Sequence, residues 1–288
     1  MKKSKSMETI RVAFADFWPK WKVENFLSPI LEKHFDVVYD QKDPDVLFHS
    51  VFNSLSSSLG YNCKKVLVLV ENWRPSLFGS HYSISMDPRS ESNFRLPLWQ
   101  IYWLLNPELK NRLFERKRVG EFERFCAFTV SNPSNYVRQF HFSIISQYKK
   151  VHSYGKVNRN DSGLKRISRG KSWQEAKDKF FLAHPHKFMM AYENTSTEYY
   201  CTEKLMDAFL AGSLPIYWGD PRVGEDWNQK AFINVQSQDD WFDQIKKADE
   251  NKTCWEDFYL EPVFTDEQKS RHLANLEEFE AWLVQTIK

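Results

Sequence analysis

Cysteine is too sparse to organise this chain. Its four residues, Cys63, Cys126, Cys201 and Cys254, stand at least 53 positions apart, so no CxxC or related metal-ligating spacing exists, and unpaired thiols in a reducing compartment are expected. Glycine is also scarce. None of the nine among 288 residues falls into GxxxxGK[ST] or GxGxxG, so neither a P-loop nucleotide hydrolase nor a standard dinucleotide site is supported. Long hydrophobic runs are missing too. The stretch Val66-Leu67-Val68-Leu69-Val70 is far short of the ~20 apolar residues that cross a bilayer. The basic start Met1-Lys2-Lys3 runs into Glu8, Arg11 and Asp16 without an apolar segment, so a signal peptide is not expected. Charge of one sign does not dominate: 40 basic against 38 acidic residues give +2, far from the field of a protein devoted to nucleic acid.

What remains is a composition of 42% hydrophobic and 27% charged residues, that of a folded protein with a sizeable core. Aromatic residues are the excess, at 16%. Most are expected in core packing, where their large apolar areas count most, and some Trp and Tyr are candidates for stacking on sugars or bases.

Apolar patterning predicts strands at Thr9 to Phe14, Val37 to Tyr39, Val46 to Phe48, Val66 to Val70 and Tyr82 to Met86, with a helix over Val23 to His34 that contains Pro29. A second set starts near Arg118. It comprises a strand Phe125 to Val130, a loop with Ser134 as N-cap, and a helix whose face is Val137, Phe140, Ile144, Ile145 and Tyr148. A basic loop follows over Ser153 to Ser172. Next come a strand Phe188 to Tyr192, a helix Glu203 to Ala211 closed by Gly212, and a strand Pro215 to Trp218. Thr265-Asp266-Glu267-Gln268 opens a last helix with a capping box, its buried face marked by Leu276, Phe279 and Leu283. Strands apolar on both faces and alternating with helices predict parallel sheets covered on both sides. The division read from this is an N-terminal domain 1–118, a C-terminal domain 119–264 and a terminal helix 265–288 packing back on the N-terminal domain. Two such halves predict a cleft that takes a ligand.

The most informative segment runs from Phe188 to Lys204. Strand, polar loop and helix start follow in that order, which gathers Glu193, Asn194, Tyr200, Glu203 and Lys204 at the carboxyl edge of a sheet. Lys204 opposes the helix macrodipole in the first turn. Either it points into water, or an external anion docks on the free N–H groups and the ammonium completes its shell. Arg138 repeats that placement on its own helix; an Arg fork and a Lys point charge together suit a diphosphate. Glu71, at the end of the Val66 to Val70 strand, is a candidate general base, because partial burial raises a carboxyl toward working pH. The competing reading is a carboxylate that caps a strand.

Three runs carry a resemblance: Tyr192-Glu193-Asn194-Thr195, Tyr200-Cys201-Thr202-Glu203-Lys204-Leu205, and Gly212-Ser213-Leu214-Pro215-Ile216-Tyr217-Trp218-Gly219. Together they resemble the signature of the α-1,3/4-fucosyltransferases of glycosyltransferase family 10, the bacterial Lewis-antigen enzymes in particular. Weaker likeness extends to Asp16-Phe17-Trp18, Asp45 to Phe48, Val70-Glu71-Asn72, Phe125 to Pro133 with Arg138, and Phe232 to Val235, nearly the whole chain. The resemblance implies an α/β chain of GT-B fold, two Rossmann-like domains facing across a cleft, with 1–118 binding the acceptor and 119–264 binding GDP-fucose. It implies GDP-β-L-fucose as donor and inverting transfer to the GlcNAc 3-hydroxyl, or to the glucose of lactose, in lactosamine-type acceptors. No metal or other cofactor is obligatory, nucleic acid is not a partner, and a cytoplasmic protein with at most peripheral contact at the inner face of the bacterial membrane is expected. By position, Glu71 matches the general base, and Arg138 and Lys204 the diphosphate cations. Tyr200 and Glu203 match donor contacts, and Glu193 and Asn194 residues around the donor sugar. Three departures stand out. Cys201 replaces a small aliphatic residue, Ser196 to Tyr199 replaces a Gly-rich stretch, and Trp73-Arg74-Pro75 follows Glu71-Asn72 where many members are acidic or Ser-Pro. The heptad repeats and basic amphipathic tail of some members do not appear. A GT-B transferase with a different nucleotide-sugar donor, and a non-catalytic glycan-binding protein, are the competing functions.

Overall fold

Alternating buried strands and helices build two separate parallel sheets in the computed structural model, which describes residues 7–18, 21, 25–53, 57–116, 121–167, 173–236 and 239–288. One unit holds the chain up to Leu105 together with Arg271–Lys288, and the other Asn106–Ser270.

The first unit comprises β1 (Thr9–Ala15), α1 (Ser28–His34), β2 (Asp36–Tyr39), β3 (Val46–His49), β4 (Lys64–Val68), β5 (Tyr82–Ser85), β6 (Asn93–Arg95) and α2 (Leu98–Leu105). Its strands lie in the order β2-β1-β3-β4-β5-β6, all parallel, with Val12 opposite Val46 and Val66 opposite Tyr82. All four residues of β3 are buried, which is why the central strands read as continuous apolar runs rather than alternating ones. α1 is shorter than its periodicity predicts. Pro29 lacks an N–H and is tolerated only in the first turn, so the helix begins at Ser28, where the Asn25 side chain accepts from the Leu27 and Ser28 amides at 2.9 and 3.1 Å. Residues 23 and 24 of the expected helix lie outside the described residues. β4 stops at Val68, although the Leu69 amide still reaches the Ile84 carbonyl at 2.8 Å; Glu71 is therefore three residues beyond the strand.

The second unit comprises α3 (Pro107–Phe114), β7 (Arg124–Phe128), α4 (Tyr136–Tyr148), β8 (Val151–Ser153), α5 (Gly163–Ile167), α6 (Trp173–Ala183), β9 (His186–Tyr192), α7 (Lys204–Leu210), β10 (Leu214–Trp218), β11 (Ile233–Asn234), α8 (Trp241–Glu250) and α9 (Lys252–Tyr259). The parallel order is β11-β10-β9-β7-β8. The last helix, α10 (Asp266–Ile287), begins in this unit and ends in the first. It opens on a reciprocal capping box, Thr265 N to Gln268 Oε1 at 2.9 Å and Gln268 N to Thr265 Oγ1 at 3.2 Å. Phe279, Leu283 and Ile287 share one core cluster with Ile10, Val12, Phe48, Val66, Ile84 and Phe94. The units divide at Leu105 rather than at 118, because α3 packs on α7 and Arg112 donates to Asp178 and to the Leu210 carbonyl at 3.0 and 3.3 Å. The stretch predicted as a loop over Ser153 to Ser172 contains α5: Asp161 accepts from the Gly163 amide at 2.7 Å and Leu164 is fully buried. Residues 168–172 lie outside the described residues.

A polar network crosses the second core. Arg124 donates to the Tyr154 hydroxyl at 2.6 Å, and Tyr154 lies 2.8 Å from His186 Nε2. His186 Nδ1 is 2.7 Å from the His184 carbonyl, which can only accept, so Nδ1 carries the proton and Nε2 accepts from Tyr154. Burial first, and then the Arg124 charge, push the imidazole down to about 3. The folded protein thus stays neutral at His186 while an unfolded chain protonates near 6.5. This stability is complete above pH 6.5 and is lost as pH falls toward 3, by about 1.4 kcal/mol per pH unit. Urea denaturation at stepped pH is expected to show that slope, and His186→Gln to flatten it while lowering stability at pH 7.5; an unchanged slope in the variant would assign acid lability elsewhere.

Candidate functional site

The chain leaves β7 for β8 on one side of the sheet and returns to β9 on the other, so strand order reverses between β7 and β9. The carboxyl ends of such a strand pair are where parallel sheets bind ligands. Here the first leads through residues 131–135 into α4, and the second into Glu193 and Asn194. Asn135, not Ser134, caps α4, its side-chain oxygen accepting from the Val137 amide at 2.8 Å. Arg138 is consequently the third helical residue.

The two strand ends are tied by Arg138. Its Nη1 donates to Asn194 Oδ1 at 2.9 Å and its Nη2 to the Asn132 carbonyl at 2.7 Å, while Asn135 Nδ2 donates to the Asn194 carbonyl at 2.9 Å. The Arg138 residue is 1% exposed. No carboxylate lies within ion-pair distance of it among the described residues, and its Nε–H has no acceptor there. Only two of five N–H donors are committed in these bonds. Burial lowers the guanidinium pKa, and the nearby Glu193 opposes that shift, so the group remains a cation. Asn194 Nδ2 reaches the hydroxyl of the buried Tyr200 at 3.4 Å.

Glu193, Glu203 and Lys204 form an adjoining group. Glu193 has no exposed surface. Its carboxylate accepts from the Thr202 amide at 2.7 Å, from the Thr202 hydroxyl, and from Lys204 Nζ at 3.0 Å. Lys204 also donates to Thr202 Oγ1 at 2.7 Å and lies 3.7 Å from Glu203. Burial pushes the Glu193 carboxyl up; against burial, Glu193 and Glu203 hold the Lys204 ammonium well above its ordinary value. Lys204 thus has counterions within the protein, an arrangement that neither expectation for it, water or an external anion, included.

Thr202, Asn132, Asn135 and Gly219 escape a reading based on charge. Thr202 is an ordinary hydroxyl before a helix start, and Asn132 acts through its backbone. Gly219 matters through what it lacks: a Cβ there would stand 2.4 Å from Glu193 Cγ and 2.7 Å from the Tyr217 hydroxyl. Where the family resemblance leads one to expect glycines, Tyr199 has φ 66°. That left-handed backbone costs about 1–3 kcal/mol in a residue with a side chain. Asp220 holds it, accepting from the amides of Tyr199 and Arg222 at 2.9 and 2.8 Å.

Glu71 belongs to the first unit, partly exposed, with its carbonyl accepting from the Trp73 amide at 2.8 Å. Among the described residues no group of three His, Cys, Asp or Glu side chains is placed to hold a metal ion, and no helix is long and apolar enough to cross a membrane. Gly219→Ala is expected to lower stability by about 1–3 kcal/mol, the range for overpacking a filled site, in urea denaturation at neutral pH; a neutral result would mean that Glu193 can leave its place freely.

Known proteins share this architecture and sequence. The family model for the Alpha-(1,3)-fucosyltransferase FucT N-terminal domain matches residues 12–102, and that for Glycosyltransferase family 10 (fucosyltransferase) C-term matches residues 121–261. Alpha-(1,3)-fucosyltransferase FucT of Helicobacter pylori is 26% identical over 95% of this chain and 64% of its own length. Putative fucosyltransferase R654 of Acanthamoeba polyphaga mimivirus is 31% identical over 49% of this chain and 24% of its own. The chain therefore spans less than two thirds of the length of these curated relatives. Two crystal structures of an alpha1,3-fucosyltransferase, the second with GDP-fucose, superpose with TM-scores of 0.73 and 0.70 at 21% and 22% identity. They cover 96% and 97% of this chain and 92% and 93% of theirs, which establishes the shared GT-B fold. With one model on each unit and more than half of the residues matched, the chain belongs to glycosyltransferase family 10, the fucosyltransferases.

Proposed function

We propose that the chain transfers L-fucose from GDP-β-L-fucose, with inversion, to the 3-hydroxyl of GlcNAc, or to the glucose of lactose, in lactosamine-type glycans of the Lewis x kind. The observation that carries this reading is Arg138, a buried guanidinium with no carboxylate partner among the described residues, held at the switch point of a nucleotide-binding type of sheet. Its uncommitted N–H groups suit a diphosphate, whose oxygens accept a planar fork. The donor named in a structural neighbour, GDP-fucose, has that group.

Inversion at the anomeric carbon needs a base on the face opposite the leaving group. The acceptor oxygen attacks as Glu71 takes its proton, the glycosidic bond to the diphosphate breaks, and GDP leaves with the electron pair. Positive charge developing on the sugar is stabilised by carboxylates, and negative charge on the departing diphosphate by fixed cations. Arg138 is the larger contributor to the second role, because Lys204 shares its charge with Glu193 and Glu203. Tyr200, Asn194 and Glu203 orient the donor, and Glu193 reaches it through Asn194 and Lys204. A cation pair of this kind supplies what a bound divalent metal supplies elsewhere, so turnover does not depend on one.

Incubation with GDP-fucose and N-acetyllactosamine, followed by mass spectrometry and linkage analysis, tests the reaction; no fucosylated product, or transfer from a UDP-sugar instead, would sink it. Arg138→Lys keeps the charge and loses the fork, so GDP affinity measured by calorimetry is expected to fall tenfold or more, the scale of one charged hydrogen bond. Unchanged affinity would place the diphosphate elsewhere. Glu71→Gln is expected to lower kcat by about 10²- to 10⁴-fold with GDP affinity intact; a variant within a few-fold of the parent would move the base to another carboxylate.

A further inference from the structure

The first unit contains a cavity of about 370 Å³ between residues 74–83 and 87–93, within the size range of small-ligand sites. Its lining departs from the usual apolar character of such sites. Five of its eleven residues are serines, and it has no aliphatic side chain larger than proline. Ser83 is buried and donates to Asn93 Oδ1 at 2.7 Å, and Asn93 in turn donates to the carbonyls of Asp87 and Pro88 at 2.9 and 3.0 Å. Ser80 is held by the buried His49 at 2.6 Å. These walls are therefore fixed by side chains already in place. The two charged lining residues, Arg74 and Asp87, pair with each other, so the cavity offers neither a net cation nor a net anion.

Fixed hydroxyls that both donate and accept, one neutralised ion pair and one phenol, Tyr82, suit a ligand of the same kind: an uncharged polyol. A phosphate or carboxylate would need Arg74 without Asp87 beside it. The cavity also has a defined neighbour. Arg74 is three residues from Glu71, so their Cα atoms are at most about 11 Å apart, and the Trp73 amide folds back on the Glu71 carbonyl at 2.8 Å. Between them stands Trp73, 56% exposed, an aromatic face of the type on which sugar rings stack.

We infer that this cavity is a saccharide subsite which, with Trp73, binds an uncharged sugar of the acceptor beyond the one that receives fucose. The inference rests on the proposed role of Glu71 as the base that meets the acceptor. It follows that chain length in the acceptor, rather than charge, sets affinity in this protein.

The test uses the full chain, the disaccharide N-acetyllactosamine and the tetrasaccharide lacto-N-neotetraose. Ser92 and Ser76 are exposed cavity residues from different segments, so Ser92→Trp and Ser76→Trp each fill the space without disturbing a buried contact. The wild type is expected to show a KM at least tenfold lower for the tetrasaccharide. Both variants are expected to abolish that difference, leaving kcat, the disaccharide KM and GDP affinity unchanged. An equal KM for the two acceptors in the wild type, or a difference that survives in both variants, overturns the subsite. Saturation-transfer NMR with the same tetrasaccharide, without donor, separates this from the reaction itself. If no transfer occurs but the outer sugars are saturated in the wild type and not in the variants, the subsite stands and the proposed reaction falls. Saturation that is absent in the wild type, or unaffected by the tryptophans, overturns the subsite whatever the activity. Tighter binding of a sialylated tetrasaccharide than of the neutral one also overturns it.

Discussion

A carboxylate without exposed surface must be ringed by donors, because leaving it unpaired inside a protein costs several kcal/mol. Among the described residues, Glu193 meets that requirement with Thr202 and Lys204. Three separate stretches of chain are fixed as a result. The end of β9 is held beside β10, where the Glu193 amide donates to the Trp218 carbonyl at 2.8 Å. The start of α7 is drawn in through Thr202 and Lys204. The residue after β10 is confined to glycine, since a side chain there would occupy the volume of Glu193. Asn194 follows directly, and its side chain and carbonyl receive Arg138 and Asn135. The guanidinium is thus positioned at second hand by a buried anion that it does not touch.

The two cations differ in what they can offer. Lys204 stands between two carboxylates, whereas among the described residues Arg138 is bound by a carbonyl and an amide oxygen. Neutral acceptors hold an arginine in place without cancelling its charge. The first unit has the opposite character around its cavity, where hydroxyls prevail and Arg74 and Asp87 neutralise each other. The candidate site of the second unit thus keeps an uncancelled charge, while the cavity of the first is lined mainly by hydroxyls.

Much of this was legible in the sequence wherever one residue type has one plausible role. Continuous apolar runs gave the central strands, Thr265 and Gln268 gave the start of α10, and the run from Glu193 to Lys204 gave a strand end followed by a helix start. Legibility failed where the deciding contact is made by distant or neutral groups. The start of α1 depends on where Pro29 is allowed, and the cap of α4 on Asn135 rather than the neighbouring Ser134. β6 and α2 were not anticipated: β6 is only three residues long, too short for a period to show, and α2 is apolar on most of its surface. The internal pairing of Lys204 was out of reach because a sequence gives the sign of a charge but not its nearest neighbour.

The closing stretch of the chain has a consequence for how the protein is made. The first sheet leaves the ribosome before the second, yet Phe279, Leu283 and Ile287 are part of its core. The whole of Asn106–Ser270 must be translated in between, which takes roughly 8 to 33 s at bacterial or eukaryotic elongation speeds. During that interval the earliest-made strands lack the part of their apolar cover that Phe279, Leu283 and Ile287 supply, while the unit made later contains all its own strands and can close first. Order of synthesis and order of completion are therefore reversed, and the half of the molecule with the longest wait is the one that most needs shielding from its own neighbours on a polysome.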